Sequence, residues 1–359
     1  MHVPDGFINT PVCAAAGVVA AGAVAVALRR ARRELDERTA PLAGLVAAFI
    51  FAVQMLNFPV AAGTSGHLLG GALAAILVGP GTGVLCVSVV LLLQGVLFAD
   101  GGLTALGVNI TDMGVVTVVV AYALFRGLVK LLPRKRRSVT VAAFVSALVS
   151  VPAAAVAFTA IYAVGGTTSV PLGQVFTAMV GVHVLIGVGE ALITAATVSA
   201  VLAVRPDLVY GARGLTAPLK LRVNGELVDA PASPAPTPAP APAHRSVRAL
   251  WAAGLGAALV LAGLVSFYAS ASPDGLEKVA ADQGIDKNVR DHASADSPLA
   301  DYGVSGISDP RVSGGLAGVI GVGATVAVGT GVFRVVRRRS AGGDDDRPAR
   351  SSEAPRETV

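Results

Sequence analysis

The first two residues of the chain carry several nitrogen atoms that could bind one small divalent ion together. The chain begins MHVPDGF, so a free α-amino group, the amide nitrogen of His2 and the imidazole of His2 could close fused chelate rings. His67 follows a glycine-rich stretch at 63–66 and could supply a fourth nitrogen. Four nitrogens in a plane are the donor set that Ni(II) or Cu(II) prefers. These residues predict a metal site formed by Met1, His2 and His67.

Each of these residues also has an ordinary explanation. A lone histidine near a helix end is more often a hydrogen-bonded residue of the surface or core, and a chain terminus often frays. Gly63, Ser65 and Gly66 would permit a tight turn that aims His67 toward an inserted amino-terminal segment. The bulky second residue disfavours removal of the initiator methionine, so we expect the mature chain to begin at Met1. Both interpretations of the terminus stay open on these residues alone.

Further polar residues lie in or beside apolar segments, where polar groups are costly and mark packing contacts or transport pathways. Five of them are candidates for groups that hold the imidazoles in one tautomer: Asn57, Ser65, Gln94, Asn109 and Asp112. Interhelical hydrogen bonds without any contact to a metal explain them equally well. His183 and Glu190 are seven residues apart and therefore lie on one helix face, where we expect an internal polar contact.

Composition places the chain among polytopic membrane proteins. Of its 359 residues 53% are hydrophobic and only 14% charged, and the mean hydropathy is +0.69, which excludes an ordinary soluble protein of this length. The net charge of +5 comes from basic residues collected in a few short connecting segments. This pattern is typical of cytoplasmic loops, whereas a nucleic-acid-binding protein would have a basic face on a polar domain.

Motifs that the chain lacks exclude several activities. It has no P-loop, so any ATP-driven transport must be energised by other subunits. It also lacks the signatures of membrane proteases, of hydrolases with a nucleophilic serine and of Cys-x-x-Cys redox proteins. We therefore predict that it is not an enzyme, that it has no catalytic residues and that it carries no cofactor.

Apolar segments predict the number of membrane crossings. A transmembrane helix needs about 20 apolar residues, and eight segments meet or nearly meet this length: 11–28, 41–62, 82–98, 110–132, 139–163, 172–204, 249–269 and 313–334. The shorter segment 68–78 predicts a half-length or tilted helix. Threading all nine with the amino terminus outside puts every basic cluster in the cytoplasm and the loop of His67 outside. The predicted fold is an all-α bundle of about seven helices, followed by two carboxyl-terminal transmembrane helices, in a bacterial plasma membrane.

A change in composition separates two parts of the chain. Alternating alanine and proline at 230–243 predicts a semi-rigid extended spacer. We divide the chain into a transmembrane domain at 1–210, a cytoplasmic linker at 211–247 and a two-helix domain at 248–338 with an extracytoplasmic loop at 270–312. The polar residues 339–359 have little to bury and predict a disordered cytoplasmic tail.

Three ordered motifs carry a resemblance to a known family. The sequences MHVPDGF at 1–7, GTSGHLLGG at 63–71 and FADGGLTALG at 98–107 together resemble the CbiM/NikM substrate-specific subunit of energy-coupling factor transporters for cobalt or nickel. The resemblance covers about residues 1–210 and implies that Met1, His2 and His67 hold the metal. The sequence SPDGLEKVA at 272–280 is similar to the PDGLE domain, which resembles the small CbiN/NikN accessory subunit.

The resemblance implies a function and partners. The chain would be the substrate-binding membrane component of an importer of the ATP-binding-cassette class, which captures Co(II) or Ni(II) at the outer face of the lipid bilayer. A transmembrane coupling protein and two cytoplasmic ATPases would drive delivery of the ion inward. No nucleic acid is expected among the partners. The alternative is a stand-alone, ion-coupled secondary carrier that uses Asp112 and Glu190 as relay groups. The residues do not distinguish cobalt from nickel, and we expect His292 to be a solvated residue rather than a ligand.

Overall fold

The computed structural model describes residues 1–35, 39–61, 63–213, 220–223, 226–229 and 247–341. The alanine- and proline-rich spacer at 230–243 and residues 342–359 of the predicted tail lie outside these described residues.

Helices form most of the described chain. Eleven α-helices are found there: α1 Thr10–Glu34, α2 Thr39–Gln54, α3 Gly71–Val78, α4 Pro80–Leu97, α5 Leu106–Asn109, α6 Thr117–Leu131, α7 Arg136–Gly165, α8 Leu172–Val204, α9 Val247–Gly263, α10 Gly275–Gln283 and α11 Pro310–Ala341. A π-helical stretch, Ile110–Val116, joins α5 to α6, so that Leu106–Leu131 forms one continuous helical rod. Within the described residues, seven helical segments are long and apolar enough to cross a membrane, which confirms the predicted all-α membrane fold.

The segment predicted as a helix at 41–62 contains two kinds of structure. Helix α2 ends at Gln54, and the chain then forms an antiparallel hairpin of β1 Phe58–Ala61 and β2 Thr64–Gly66. Pro59 lacks a backbone N–H, so it cannot continue the helical hydrogen-bond pattern. Apolar composition alone does not distinguish a buried helix from a short strand, and the predicted helix was therefore too long.

The half-length helix expected at 68–78 is α3, which has eight residues, all of them buried. Eight residues extend about 12 Å, less than half of the ~30 Å hydrocarbon thickness of a bilayer. The loop before α3 covers the remaining depth. Its backbone N–H groups at Leu69 and Gly70 donate to the carboxylate of Glu190 at 2.7 and 3.1 Å, and Glu190 lies in the middle of α8. The loop that carries His67 therefore enters the helix bundle.

Two buried contacts define the opposite ends of the bundle. At one end, Glu34 at the end of α1 accepts hydrogen bonds from the backbone N–H groups of Gly81 and Thr82 at the start of α4. At the other end, Gln94 near the end of α4 lies against His2, which precedes α1. Helices α1 and α4 are thus antiparallel. Helix α3 leads the chain toward the end of the bundle that contains Glu34 and away from the end that contains His2.

The carboxyl-terminal part of the chain packs on this bundle at two places. Helices α9 and α11 contact α2, and the short helix α10 contacts α8. At Gly275, the first residue of α10, a Cβ atom would lie 2.8 Å from Cδ1 of Ile186 and 3.1 Å from Cε1 of His183. Only glycine allows the start of α10 to approach α8 this closely, which brings the neighbouring Asp274 to the end of the bundle that holds His2.

We expect Glu34→Ala to destabilise the protein by about 2–3 kcal/mol, because it leaves the buried N–H groups of Gly81 and Thr82 without an acceptor. The measurement is the midpoint of thermal unfolding in detergent, which should fall. Asp291→Asn removes one carboxylate at an exposed position and serves as the control, with little change expected. Equal midpoints for wild type and Glu34→Ala would contradict the assigned role.

Candidate metal centre

The amino-terminal segment is buried among the helices and does not fray. Met1 is 2% exposed, Val3 is fully buried and Phe7 is 2% exposed. The backbone N–H of Thr167, in the connection between α7 and α8, donates to the carbonyl of Phe7 at 3.1 Å. The α-amino group is therefore held at a fixed place inside the protein.

Asn109 holds the backbone of this segment. Its Oδ1 accepts from the backbone N–H of Val3 at 2.8 Å, and its Nδ2 donates to the carbonyl of Val3 at 3.1 Å. The backbone N–H of Gly102 also donates to this carbonyl at 2.9 Å. Asn109 thus positions the residue that follows His2 without contacting an imidazole itself.

The α-amino nitrogen of Met1 lies 2.8 Å from Nε2 of His67. Nδ1 of His67 lies 3.0 Å from the carbonyl of Leu68, to which it donates its hydrogen, so the lone pair of Nε2 faces the amine. Two nitrogens that are each 2.0–2.1 Å from one ion, at a right angle, would be about 2.9 Å apart. The spacing of Met1 and His67 therefore fits two adjacent ligands of one small divalent ion.

His2 lies beside His67, with the two rings stacked at 5.2 Å between centroids and 23° between planes. Nε2 of His2 is 3.1 Å from Oε1 of Gln94, and Nδ1 is 3.2 Å from Oδ1 of Asp100. Burial lowers the pKa of His2 to about 4, although the Asp100 carboxylate acts in the opposite direction. Burial thus favours the neutral imidazole, which is the form that binds metals.

The backbone between His2 and the motif at 98–107 packs tightly. At Gly101, where φ is +78°, a Cβ atom would lie 2.9 Å from Nδ2 of Asn109 and 3.2 Å from Cβ of His2. A larger residue there would press against Asn109 and His2. In the part of the chain that the structure describes, the backbone N–H of His2 has no hydrogen-bond partner, so its nitrogen is not committed to another contact.

One carboxylate at this centre was not among the residues predicted from sequence. Oδ2 of Asp274 forms an ion pair with the α-amino group of Met1 and lies 3.4 Å from Nε2 of His67. A ring nitrogen of His2, a ring nitrogen of His67 and a carboxylate oxygen of Asp274 lie within 4.8 Å of one another. Burial tends to raise the pKa of Asp274, but the amine and His67 together hold it well below its ordinary value.

Asp274 belongs to the motif at 272–280 and Asp100 to the motif at 98–107, and neither motif by itself predicts a contact with the metal site. The three-residue spacing of Asp274 and Glu277 is the pattern of a capping box. It predicts a helix N-terminus at which hydrogen bonds to the backbone fix the side chain of Asp274. No local signal connects position 274 with position 1. Asp100 accepts a hydrogen bond from Oη of Tyr302 at 2.6 Å. The carboxyl-terminal part of the chain therefore also contacts Asp100, the carboxylate that faces His2.

The structure brings some of the other candidates to the centre and leaves others apart. Gln94 contacts His2 directly, whereas Ser65 and Asn57 contact the carboxyl-terminal part: Oγ of Ser65 donates to the carbonyl of Ser272 at 2.7 Å, and the carbonyl of Asn57 accepts from the N–H of Ser270 at 2.7 Å. Asp112 is fully buried, and neither of its carboxylate oxygens has a hydrogen-bond partner among the described residues.

The remaining histidine and carboxylate candidates have structural contacts. Glu190 accepts from the backbone of the loop before α3, and Nδ1 of His183 lies 2.7 Å from the carbonyl of Met179, one turn earlier on α8. Both agree with the expected internal polar contacts. His292 is half-buried, with Nε2 3.1 Å from the carbonyl of Gly101, so it supports the motif at 98–107.

A cavity of about 530 Å³ adjoins the centre. The amino-terminal bundle contributes His2, His67 and Asp100 to its lining, and the carboxyl-terminal part contributes Asp274 and Tyr302. The cavity therefore lies at the boundary between the two parts of the chain and gives a small ion room to approach the imidazoles.

Family comparisons agree with this division of the chain. Residues 2–208 match the family described as the cobalt uptake substrate-specific transmembrane region, CbiM. The chain belongs to the CbiM family. Residues 248–338 match the PDGLE domain.

Individual relatives are similar over one part or over nearly all of the chain. A protein of Archaeoglobus fulgidus, provisionally named fused nickel transport protein NikMN, is 32% identical over 94% of this chain and 99% of its own length. The cobalt transport protein CbiM of Sorangium cellulosum is 33% identical over 58% of this chain and 94% of its own length. A solved structure of a truncated transition metal transporter matches with a TM-score of 0.50 at 27% identity, over 56% of this chain and 99% of that one.

The comparisons confirm the resemblance drawn from the three motifs. The chain is a CbiM-type component of metal-ion transport with a PDGLE domain fused to it, and it is a multi-pass membrane protein. The relatives are named as transport proteins for cobalt or nickel, in agreement with the prediction that the chain is not an enzyme.

We expect Asn109→Ala to loosen the amino-terminal segment, because both backbone groups of Val3 lose a side-chain partner. Loss of these hydrogen bonds should make local opening of the segment easier by about 1–2 kcal/mol. The rate at which an amine-selective reagent labels the α-amino group should then rise by roughly 5- to 30-fold. Labelling of that amine is measured by mass spectrometry of the amino-terminal peptide. Asn57→Ala is the matched control, and equal labelling of wild type and Asn109→Ala would show that Asn109 does not hold the segment.

Proposed function

We propose that the protein is the substrate-binding membrane component of an energy-coupling factor importer for Co(II) or Ni(II). The observation that carries this proposal is the buried α-amino group of Met1 at 2.8 Å from Nε2 of His67, with the imidazole of His2 stacked beside His67. The amine, the amide nitrogen and imidazole of His2, and the imidazole of His67 are the four donors. A planar arrangement of these four nitrogens around the ion would suit Ni(II), while the relatives include transporters named for both metals.

The distribution of charge supports an orientation with the metal centre outside. Basic residues at 29–33 and 134–137 lie at the end of the bundle that contains Glu34, opposite to His2. Positive charge collects on the cytoplasmic side of membrane proteins. The amino terminus, His67 and the PDGLE loop at 270–312 would then face the exterior of a plasma membrane, where the ion is captured.

The lack of a nucleotide-binding motif in the sequence supports the need for partners. Delivery inward would require a transmembrane coupling protein and two cytoplasmic ATPases. Small residues are common on the helices of this chain, and such surfaces allow close packing against another membrane subunit.

We expect His67→Ala, and separately the addition of one residue before Met1, to abolish high-affinity Ni(II) binding by the purified protein. The substitution removes the fourth nitrogen, and the extension moves the amine away from His2. Titration calorimetry in detergent measures both effects. Asp291→Asn, at an exposed position, and one residue added at the carboxyl terminus are the controls and should bind as the wild type does. Normal binding by the amino-terminally extended protein would remove the terminus from the site.

A transport experiment distinguishes the importer from a stand-alone carrier. Asp112, whose buried oxygens are unpaired within the described part of the chain, is the remaining candidate for a relay group. We expect proteoliposomes that contain this chain alone to take up no Ni(II) under a proton or sodium gradient, because the proposed importer requires ATPases that are absent there. Uptake without ATP and without partner subunits, reduced by Asp112→Asn, would favour the secondary carrier instead.

A further inference from the structure

The carboxylate of Asp274 comes from the PDGLE domain and yet lies inside the centre formed by the amino terminus. Its Oδ2 contacts the α-amino group of Met1 and lies 3.4 Å from Nε2 of His67. The residue is only 8% exposed, so this oxygen is not a surface group that reaches the site by chance.

The two oxygens of Asp274 have different partners. Oδ1 accepts from the backbone N–H groups of Leu276 and Glu277 at 2.7 and 2.9 Å, while the carboxylate of Glu277 accepts from the N–H of Asp274 at 2.9 Å. This reciprocal capping box begins α10 and fixes the side-chain rotamer. The conformation that caps the helix therefore leaves Oδ2 free to face Met1 and His67.

The chain around Asp274 is fastened to the same loop that carries His67. The backbone N–H of Ser65 donates to the carbonyl of Pro273 at 2.9 Å, and Oγ of Ser65 donates to the carbonyl of Ser272 at 2.7 Å. Gly275 allows α10 to lie directly on α8. Asp274 and His67 are thus held as one unit, although they are 207 positions apart in sequence.

We propose, building on the proposed function, that Asp274 is an additional ligand of the transported divalent ion, supplied by the fused PDGLE domain through Oδ2. Donor atoms that share an ion at about 2.0–2.2 Å are separated by at most about 4 Å, and Oδ2 meets this limit toward both Met1 and Nε2 of His67. With the four nitrogens, Oδ2 of Asp274 would give the ion five donors. The bound ion would then be five-coordinate, with four nitrogens and one oxygen.

Charge supports the same assignment. A divalent ion bound by neutral imidazoles, a neutral amine and one deprotonated amide leaves one positive charge in a buried site. Buried net charge is unfavourable unless a partner compensates it. The carboxylate of Asp274 supplies that compensation beside the amine and His67. Asp100, the other nearby carboxylate, instead faces His2 and accepts from Tyr302.

The test is Asp274→Asn in the full-length protein, with Ni(II) as the probe. Asparagine caps a helix about as well as aspartate, so α10 should keep its position while the charge and the anionic donor are lost. We expect Ni(II) affinity to fall on the order of 10- to 100-fold. Asp282→Asn, which removes one exposed carboxylate from the same helix, is the matched control and should bind as wild type does.

X-ray absorption at the nickel edge reports the geometry of the bound ion independently of affinity. We expect the wild type to lack the sharp near-edge feature of square-planar Ni(II), and the Asp274→Asn protein to display it. A square-planar spectrum in the wild type would overturn the ligand assignment whatever the affinity. Unchanged or tighter binding by Asp274→Asn would also overturn it, since a group that only occupies the empty site competes with the ion.

The same series separates this inference from the proposed function. If His67→Ala and the amino-terminally extended protein lose binding while Asp274→Asn matches the wild type, the four-nitrogen site stands and Asp274 is not a ligand. If His67→Ala and the amino-terminally extended protein both bind Ni(II) normally, the amino-terminal site itself is wrong. The ligand role proposed for Asp274 is then wrong as well.

Discussion

Burial of the α-amino group of Met1 is the constraint on which the rest of this structure depends. A charged or hydrogen-bonding terminus costs free energy inside a protein unless partners replace the water it loses. Nε2 of His67 and the carboxylate of Asp274 are those partners. The backbone of the segment is satisfied in turn by Asn109, Gly102 and Thr167. A terminus held in this way can serve as a ligand, whereas a frayed one cannot.

The loop of His67 is positioned by a second buried carboxyl group. Glu190 lies in the middle of α8 and accepts from the N–H groups of Leu69 and Gly70, which draws the loop into the bundle. Because the loop covers part of the depth, α3 needs only eight residues to reach the opposite end. Glu34 plays the corresponding part at that end, where it caps the start of α4. Two buried carboxyl groups thus accept from the backbone N–H groups that precede α3 and begin α4.

The PDGLE domain contributes residues to the candidate metal centre and contacts the amino-terminal segment directly. Asp274 reaches the amine and His67, Tyr302 reaches Asp100 beside His2, and His292 reaches the carbonyl of Gly101. Its contacts therefore surround the amino-terminal segment on the side where the cavity lies. Fusion of the two parts in one chain keeps this domain at high effective concentration near the site.

The sequence by itself determined the membrane class, the positions of the apolar segments and the residues proposed as nitrogen donors. Composition and segment length fix the first two, because a bilayer demands long apolar helices. Met1 and His2 could be proposed as donors because a chelate of the amine, one amide nitrogen and an imidazole requires histidine at position 2. Only the tertiary structure decided the end of α2 at Gln54, the descent of the His67 loop and the place of Asp274. Local patterns report periodicity and capping, but a contact between positions 1 and 274 depends on how the whole chain packs.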